Sequence, residues 1–124
     1  MADAVGIDIV EIERISRAYR RFGDRFVGRI LGPDEVGMMG SRADKIAYLA
    51  GRLAAKEATI KALGHYLTKR PPIRTLQIHK GRDGRPELSL PDEVRKLLPP
   101  VKCLVSISHE RSNAVGLAII TEEK

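Results

Sequence analysis

The sequence predicts an α+β fold in which a mainly antiparallel sheet packs against one long helix. The chain begins with a β-branched run, its middle third holds a continuous helical pattern, and its second half contains short strand-like segments joined by turns. Elements that are grouped in this way, rather than strictly alternating, are typical of α+β domains. With 124 residues, 43% of them hydrophobic, the chain fits a single domain over 1–124.

The first half of the chain predicts one strand and three helical segments. The β-branched run is interrupted by the carboxylate of Asp8, and helical spacing of apolar residues follows it. Glycine followed by proline at 32–33 breaks that pattern and can start a new helical turn. The predicted elements are a strand over 6–10, a helix over 11–26, a short helical turn from 33 or 34, and a long helix over 43–63 capped by Gly64.

The second half predicts two hairpins around a short helix. Two prolines at 71–72 enforce an extended loop before the first hairpin, and glycines and a proline lie within its turn. The predicted elements are strands over 75–79 and 87–90 joined by 81–86, a helix over 92–98, and strands over 103–108 and 114–121 joined by 110–113.

Charge and composition narrow the function classes. A net charge of +6 indicates an anionic partner, which is a nucleic acid, a phosphorylated cofactor, an anionic membrane or an acidic protein. An aromatic content of 4% and the lack of a stacking motif argue against nucleic acid. The single Cys103 excludes an internal disulfide, and no apolar run approaches the ~20 residues of a membrane span. We therefore expect a soluble, cytoplasmic protein.

One carboxylate lies on the apolar side of the long helix. At 100° per residue, Glu57 falls near the centre of the apolar stripe, and an unpaired buried carboxylate costs at least several kcal/mol. It therefore needs a cation, for which the residues leave two possibilities open. The first is an ion pair with Lys61, one turn further on. The second is Mg²⁺ shared with Asp8, since this metal takes one or two carboxylates and fills its other positions with water and phosphate oxygens.

Other polar groups are candidates for phosphate binding. Arg52, Lys56 and Lys61 crowd the long helix, Arg85 lies in the glycine-rich turn, and three polar residues end the strand at 103–108. A solvated helix face and an ordinary turn are the alternatives. The strand-end residues, expected on one face, are Ser106, Ser108 and His109. No Walker loop, zinc spacing or Ser-His-Asp motif is present, so the residues do not indicate nucleophilic catalysis by the protein itself.

A row of arginines lies in helical order on the predicted helix 11–26. It is separate from the apolar stripe of the same helix, which contains Phe22 and Phe26. Such a row fits an acidic protein partner, and its alternative is a solvated helix face. The row consists of Arg14, Arg17, Arg21 and Arg25.

Three segments resemble the small bacterial type of 4′-phosphopantetheinyl transferase, the holo-acyl-carrier-protein synthase family. They are Gly-Ile-Asp-Ile-Val-Glu-Ile at 6–12, Gly-Arg-Leu-Ala-Ala-Lys-Glu-Ala-Thr-Ile-Lys-Ala at 51–62, and Ser-Ile-Ser-His at 106–109. Gly-Arg-Pro at 84–86 adds to the match, which spans nearly the whole chain. Leu53 departs from the family, which often has an aromatic residue there.

The resemblance implies an α+β homotrimer that binds coenzyme A at subunit interfaces. It implies a reaction in which a serine hydroxyl of apo acyl carrier protein attacks the β-phosphate of coenzyme A and releases adenosine 3′,5′-bisphosphate, in support of fatty acid biosynthesis. No nucleic acid and no membrane is expected as a partner.

The resemblance also implies roles for individual residues. Asp8 and Glu57 are expected to hold Mg²⁺ on the diphosphate, and Lys61 to support the phosphates. The serine proton passes to Glu57 or to a water held by the metal, and the sequence leaves both open. The arginine row, with Phe22 or Phe26 beside it, is expected to dock the acidic helix of the carrier. The remaining residues expected at the coenzyme are Arg52, Gly84, Arg85, Pro86, Ser108 and His109.

Overall fold

The computed structural model describes residues 3–123 and consists of five strands and five helices with one 3₁₀ turn. In chain order the elements are β1 (Ala4–Glu11), α1 (Ile12–Phe22), α2 (Asp24–Ile30), α3 (Pro33–Gly40), α4 (Lys45–Leu63), the 3₁₀ turn (Ile73–Thr75), β2 (Gln77–Lys80), β3 (Pro86–Ser89), α5 (Asp92–Arg95), β4 (Val101–His109) and β5 (Asn113–Glu122).

The strands form one sheet in the order β1-β5-β4-β3-β2, and all neighbouring strands are antiparallel. The long helix α4 packs on one face of this sheet, against β1, β5 and β4. The predicted α+β class, the long helix and both hairpins are therefore confirmed. No helix in the described part of the chain is long and apolar enough to cross a membrane.

Two glycines allow α4 to lie unusually close to the sheet. A Cβ at Gly6 of β1 would overlap the carbonyl oxygen of Ala58, and a Cβ at Gly116 of β5 would overlap the backbone of Ala54 and Ala55. Because no side chain intervenes, the helix backbone contacts the strand backbones directly. Gly116 pairs in register with Asp8, so this close contact lies beside the predicted site.

The predicted helix over 11–26 is wrong, because the structure has two helices that meet at Gly23. This residue has a φ of 57°, a conformation that glycine adopts without a steric penalty, and its amide donates to the carbonyl oxygen of Tyr19 at 2.8 Å. The apolar spacing continues through the break, so periodicity alone did not reveal it. α1 therefore ends at Phe22, and α2 begins at Asp24.

Other boundaries differ from their predictions by a few residues. The strand predicted over 75–79 begins at Gln77, because Ile73–Thr75 forms the 3₁₀ turn after the two prolines. The helix predicted over 92–98 ends at Arg95, and the long helix begins at Lys45. Differences of this size are usual where helix ends fray.

The sheet face opposite α4 is apolar and open. Val5, Ile7 and Ile9 of β1 are 67%, 60% and 64% exposed. Across the sheet, Val5 pairs with Ile119 of β5, which in turn pairs with Leu104 of β4. Contiguous exposed apolar surface of this kind is typical of a protein–protein interface.

Candidate active site

A cleft of about 590 Å³ lies between β1, α1 and α4, and both predicted metal-binding carboxylates line it. Asp8 is on the face of β1 that carries Gly6 and meets α4, and Glu57 lies on α4 beside Leu53. Their side chains are 20% and 25% exposed, so both are partly removed from solvent. Glu11 and Arg14 line the same cleft.

The carboxylate of Asp8 is paired with Lys61. Nζ of Lys61 donates to Oδ1 of Asp8 at 2.9 Å and to the carbonyl oxygen of Ile7 at 2.9 Å. The Lys61 amine therefore bridges α4 to β1. The possible ion pair between Lys61 and Glu57 is wrong, because the strand offers this amine two acceptors at once.

The carboxylate of Glu57 is paired with Arg70 instead. Nη2 of Arg70 donates to Oε1 of Glu57 at 2.8 Å, and the arginine side chain is 60% exposed. Arg70 lies in the loop after α4, so it has no periodic relationship to Glu57 that the sequence could have revealed. The one signal was that Glu57 required a cation.

The donor set fits a hard divalent cation with few protein ligands. Among residues 3–123, Oδ2 of Asp8 and Oε2 of Glu57 accept no hydrogen bond from the protein. The described residues contain no cluster of three or more acidic, histidine or cysteine ligands. Two carboxylates with open positions around the ion suit Mg²⁺ that also binds substrate phosphate.

Lys56, a predicted phosphate contact, lies in the interior and cannot serve that purpose. Its side chain is fully buried, and its Nζ donates to Oε1 of Glu35 and to the carbonyl oxygen of Ile30, both at 2.6 Å. Burial lowers the pKa of Lys56, although the Glu35 carboxylate opposes this effect. The solvated face that was the alternative is equally wrong, and the sequence analysis did not identify Glu35.

Arg52 stacks on an aromatic ring rather than entering the cleft. Its Cζ lies 4.4 Å from the centroid of Tyr48, and Arg42 lies over the same ring at 4.9 Å. Burial raises the pKa of the Tyr48 hydroxyl. Nε of Arg52 is buried without a hydrogen-bond partner in the described chain. This arginine pair around Tyr48 was also missed, although Arg52 follows Tyr48 by four residues on α4 and its contact therefore has helical spacing.

Ser108 and His109 lie on opposite faces of β4, which corrects the expectation that they share one. Successive strand residues alternate between faces. Ser108 pairs with Val115 on the open side of the sheet, whereas His109 lies toward the start of α4. There Arg42 lowers the pKa of Asp44 through hydrogen bonds, and the charge of His109 adds to this effect.

The predicted nucleotide-binding turn is separate from the carboxylates in this chain. Gly84 has a φ of 82°, Arg85 is exposed and pairs with Asp83 at 3.4 Å, and Pro86 begins β3. Strands β5 and β4 lie between β3 and β1. The structure therefore does not bring this turn to Asp8 within a single chain.

The arginine row is divided between two helices. Arg14, Arg17 and Arg21 lie on α1, but Arg25 lies on α2 beyond the break. Phe22 is 49% exposed and the Cζ atom of Arg21 lies 5.2 Å from its ring centroid, whereas Phe26 is partly buried against the core. Phe22 and Arg25 border a groove of about 280 Å³, which is also lined by Ala18, Phe26 and Arg29.

A family model matches residues 4–117 and is described as the 4′-phosphopantetheinyl transferase superfamily. The chain belongs to this superfamily. Its relatives include a holo-[acyl-carrier-protein] synthase of Chlorobium chlorochromatii, 43% identical over 117 residues, which are 94% of this chain and 98% of that protein. One of Chlamydia muridarum is 41% identical over 93% of this chain and 91% of its own length. The resemblance inferred from the three motifs is thereby confirmed.

Solved structures of the superfamily share the fold. The holo-[acyl-carrier-protein] synthase of Neisseria meningitidis matches with a TM-score of 0.85 and 31% identity over 96% of this chain and 98% of that chain. That of Helicobacter pylori, in complex with coenzyme A, matches with a TM-score of 0.80 and 31% identity over 94% and 99%. The α+β architecture described above is thus the phosphopantetheinyl transferase fold.

Proposed function

We propose that this chain transfers the 4′-phosphopantetheine group of coenzyme A to a serine of apo acyl carrier protein, with Asp8 and Glu57 as the ligands of Mg²⁺. The observation that carries the proposal is the shared cleft, in which two partly buried carboxylates from different elements lie together in a chain of this superfamily. The coenzyme A complex of the Helicobacter pylori relative supports the donor. Modification of the carrier would serve fatty acid biosynthesis.

The reaction forms one bond and breaks one bond at the β-phosphorus of the donor. The serine oxygen bonds to this phosphorus, the bond to the bridging oxygen breaks, and adenosine 3′,5′-bisphosphate leaves with the electron pair. A bound Mg²⁺ supplies charge neutralisation on the diphosphate. Lys61 fixes the Asp8 carboxylate and adds a cation beside it. The serine proton goes to the Glu57 carboxylate or to a water, and both routes are compatible with the open cleft.

The coenzyme-binding residues suggest that a site is completed by another copy of the chain. Two strands separate Gly84, Arg85 and Pro86 from Asp8, and Ser108 lies on the other face of the sheet. The apolar open face provides a surface on which copies can associate. We therefore propose a homotrimer with coenzyme A at its interfaces. Light scattering measures the mass in solution of the wild-type protein and of Ile7→Lys. We expect the wild type to be a trimer and the variant to be a monomer. A monomeric wild type would contradict the proposal.

The activity is tested by incubating the protein with coenzyme A, MgCl₂ and apo acyl carrier protein, and by following the mass of the carrier. One phosphopantetheine should be added per carrier, and chelation of the metal should stop the reaction. Glu57→Gln should abolish transfer while circular dichroism stays unchanged, and Glu13→Gln on the exposed side of α1 serves as the matched control. A carrier of unchanged mass with every divalent metal would refute the proposal.

A further inference from the structure

The loop that follows α4 supplies a cation to the candidate metal ligand Glu57. Nη2 of Arg70 lies 2.8 Å from Oε1 of Glu57, and this is the one hydrogen bond that the guanidinium makes among the described residues. The arginine is 60% exposed while the glutamate is 25% exposed. A long, solvated side chain from outside the cleft thus pairs with a partly buried acid that lines it.

The cation at the second carboxylate is held differently. Lys61 is a residue of α4 itself, and its amine donates both to Asp8 and to the carbonyl oxygen of Ile7. Arg70 contacts Glu57 through a single nitrogen and comes from a segment outside the helices and strands. A single charged contact from an exposed side chain is weak and easily exchanged. Lys61 is 55% exposed, close to the 60% of Arg70, so the two pairs differ in the number of acceptors that hold the cation. With one acceptor instead of two, the Arg70 pair opens more readily.

We propose that Arg70 is an internal competitor of the divalent metal, occupying Glu57 when the metal is absent and released when the metal binds. This inference rests on the proposed function, because it takes Glu57 as a metal ligand. A guanidinium and a divalent cation on the same carboxylate repel each other at a separation of a few ångströms, so the binding of either one disfavours the binding of the other. Arg70 thus positions the carboxylate before the metal binds and raises the metal concentration that binding requires.

The proposal is tested by measuring metal binding directly. Mn²⁺, which is visible by electron paramagnetic resonance, is titrated into wild-type protein and Arg70→Gln, and the free ion is quantified. Loss of an ion pair of this exposure should tighten Mn²⁺ binding by about two- to fivefold. Arg74→Gln in the 3₁₀ turn is the matched control, because it also removes one exposed positive charge close to Arg70 in the sequence. This control should change affinity less than Arg70→Gln does.

A second readout follows the guanidinium itself. The side-chain nitrogen resonance of Arg70 in a ¹⁵N-labelled protein should move on addition of Mg²⁺ toward its position in Glu57→Gln, where the partner carboxylate is absent. The resonance of Arg74 should stay in place. A purely structural role for the ion pair would leave the Arg70 resonance unchanged by metal.

The outcomes separate this inference from the proposed function. Equal Mn²⁺ affinity of wild type and Arg70→Gln, together with normal transfer to the carrier, overturns the role of Arg70 and leaves the enzyme activity intact. Tighter binding by Arg70→Gln supports the role, whether or not the carrier is modified. Absence of metal binding in both proteins overturns the inference, and absence of transfer in the separate mass assay refutes the proposed function.

Discussion

Nζ of Lys56 lies 2.6 Å from Oε1 of Glu35, and both side chains are buried, at 0% and 2% exposed. The same amine contacts the carbonyl oxygen of Ile30, and the carboxylate accepts hydrogen bonds from the amides of Gly32 and Ile78 at 3.0 and 3.3 Å. One ion pair therefore joins α4 to the end of α2, the start of α3 and β2. The buried cation of this pair is the residue that precedes Glu57 on α4.

Removing one member of this pair should strongly destabilise the fold. Lys56→Met leaves the Glu35 carboxylate buried without its cation, and we expect the free energy of unfolding to fall by about 3–5 kcal/mol. Urea unfolding followed by circular dichroism measures this. The double variant Lys56→Met with Glu35→Leu should recover much of the loss, because no charge is left unpaired. Lys69→Met in the exposed loop is the control, and an equal effect there would contradict the assignment.

The close contact between β5 and α4 makes a second prediction. Gly116→Ala would place a methyl group in the backbone of Ala54 and Ala55, so the strand or the helix must move, at a cost of about 1–3 kcal/mol. Gly28→Ala is the matched control, since nothing lies within 4 Å of a Cβ there. In the middle of α2 this change should stabilise by about 0.5–1 kcal/mol. Thermal unfolding of both variants tests this prediction, and we expect Gly116→Ala to melt at a lower temperature than Gly28→Ala. Equal melting temperatures would contradict it.

The buried thiol of Cys103 should make the stability of the fold decrease at alkaline pH. Burial raises its pKa from 9.0 to about 11. Below pH 9 the thiol is protonated in both states, but between pH 9 and 11 only the unfolded chain loses the proton. Stability should therefore fall as pH rises through this window, by about 2–3 kcal/mol in total. Urea midpoints of wild type and Cys103→Ala across pH 8–11 test this, and parallel curves would disprove it.

Substitutions in the divided arginine row should weaken the binding of the carrier and leave the binding of coenzyme A unchanged. Because Arg14 also lines the candidate catalytic cleft, the cleaner variant reverses Arg21 and Arg25 to glutamate. We expect binding of apo acyl carrier protein to weaken about tenfold or more at low salt, and coenzyme A binding to stay unchanged, since like charges at an interface are costly. Calorimetry at two salt concentrations measures both.

The control for this prediction reverses two exposed lysines, Lys69 and Lys96, and so changes the net charge equally. If these variants weaken carrier binding as much as the arginine variants, general electrostatic attraction is the better explanation. The difference between the two pairs should shrink at high salt, because screening reduces contacts between exposed charges.

Local sequence patterns predicted the helices and strands, but they did not predict the contacts that depend on tertiary structure. Hydrophobic periodicity and turn residues sufficed for the long helix and both hairpins. The break at Gly23 did not show, because the apolar spacing runs on through it and only the positive φ reveals it. Glu57 was correctly recognised as needing a cation, but the cation came from Arg70 in a loop. Lys56 looked like a surface base because its acid lies at Glu35, far away in sequence.

The close fit at Gly6 also fixes which way the first strand can pair. A shift of β1 by one residue would turn every side chain to the opposite face and bring Val5 or Ile7 against Ala58, where even a Cβ has no room. The shifted pairing is thus excluded by the steric clash of these side chains with α4. A residue without a side chain thereby ensures that the acid two positions further on always faces the helix that carries the other acid.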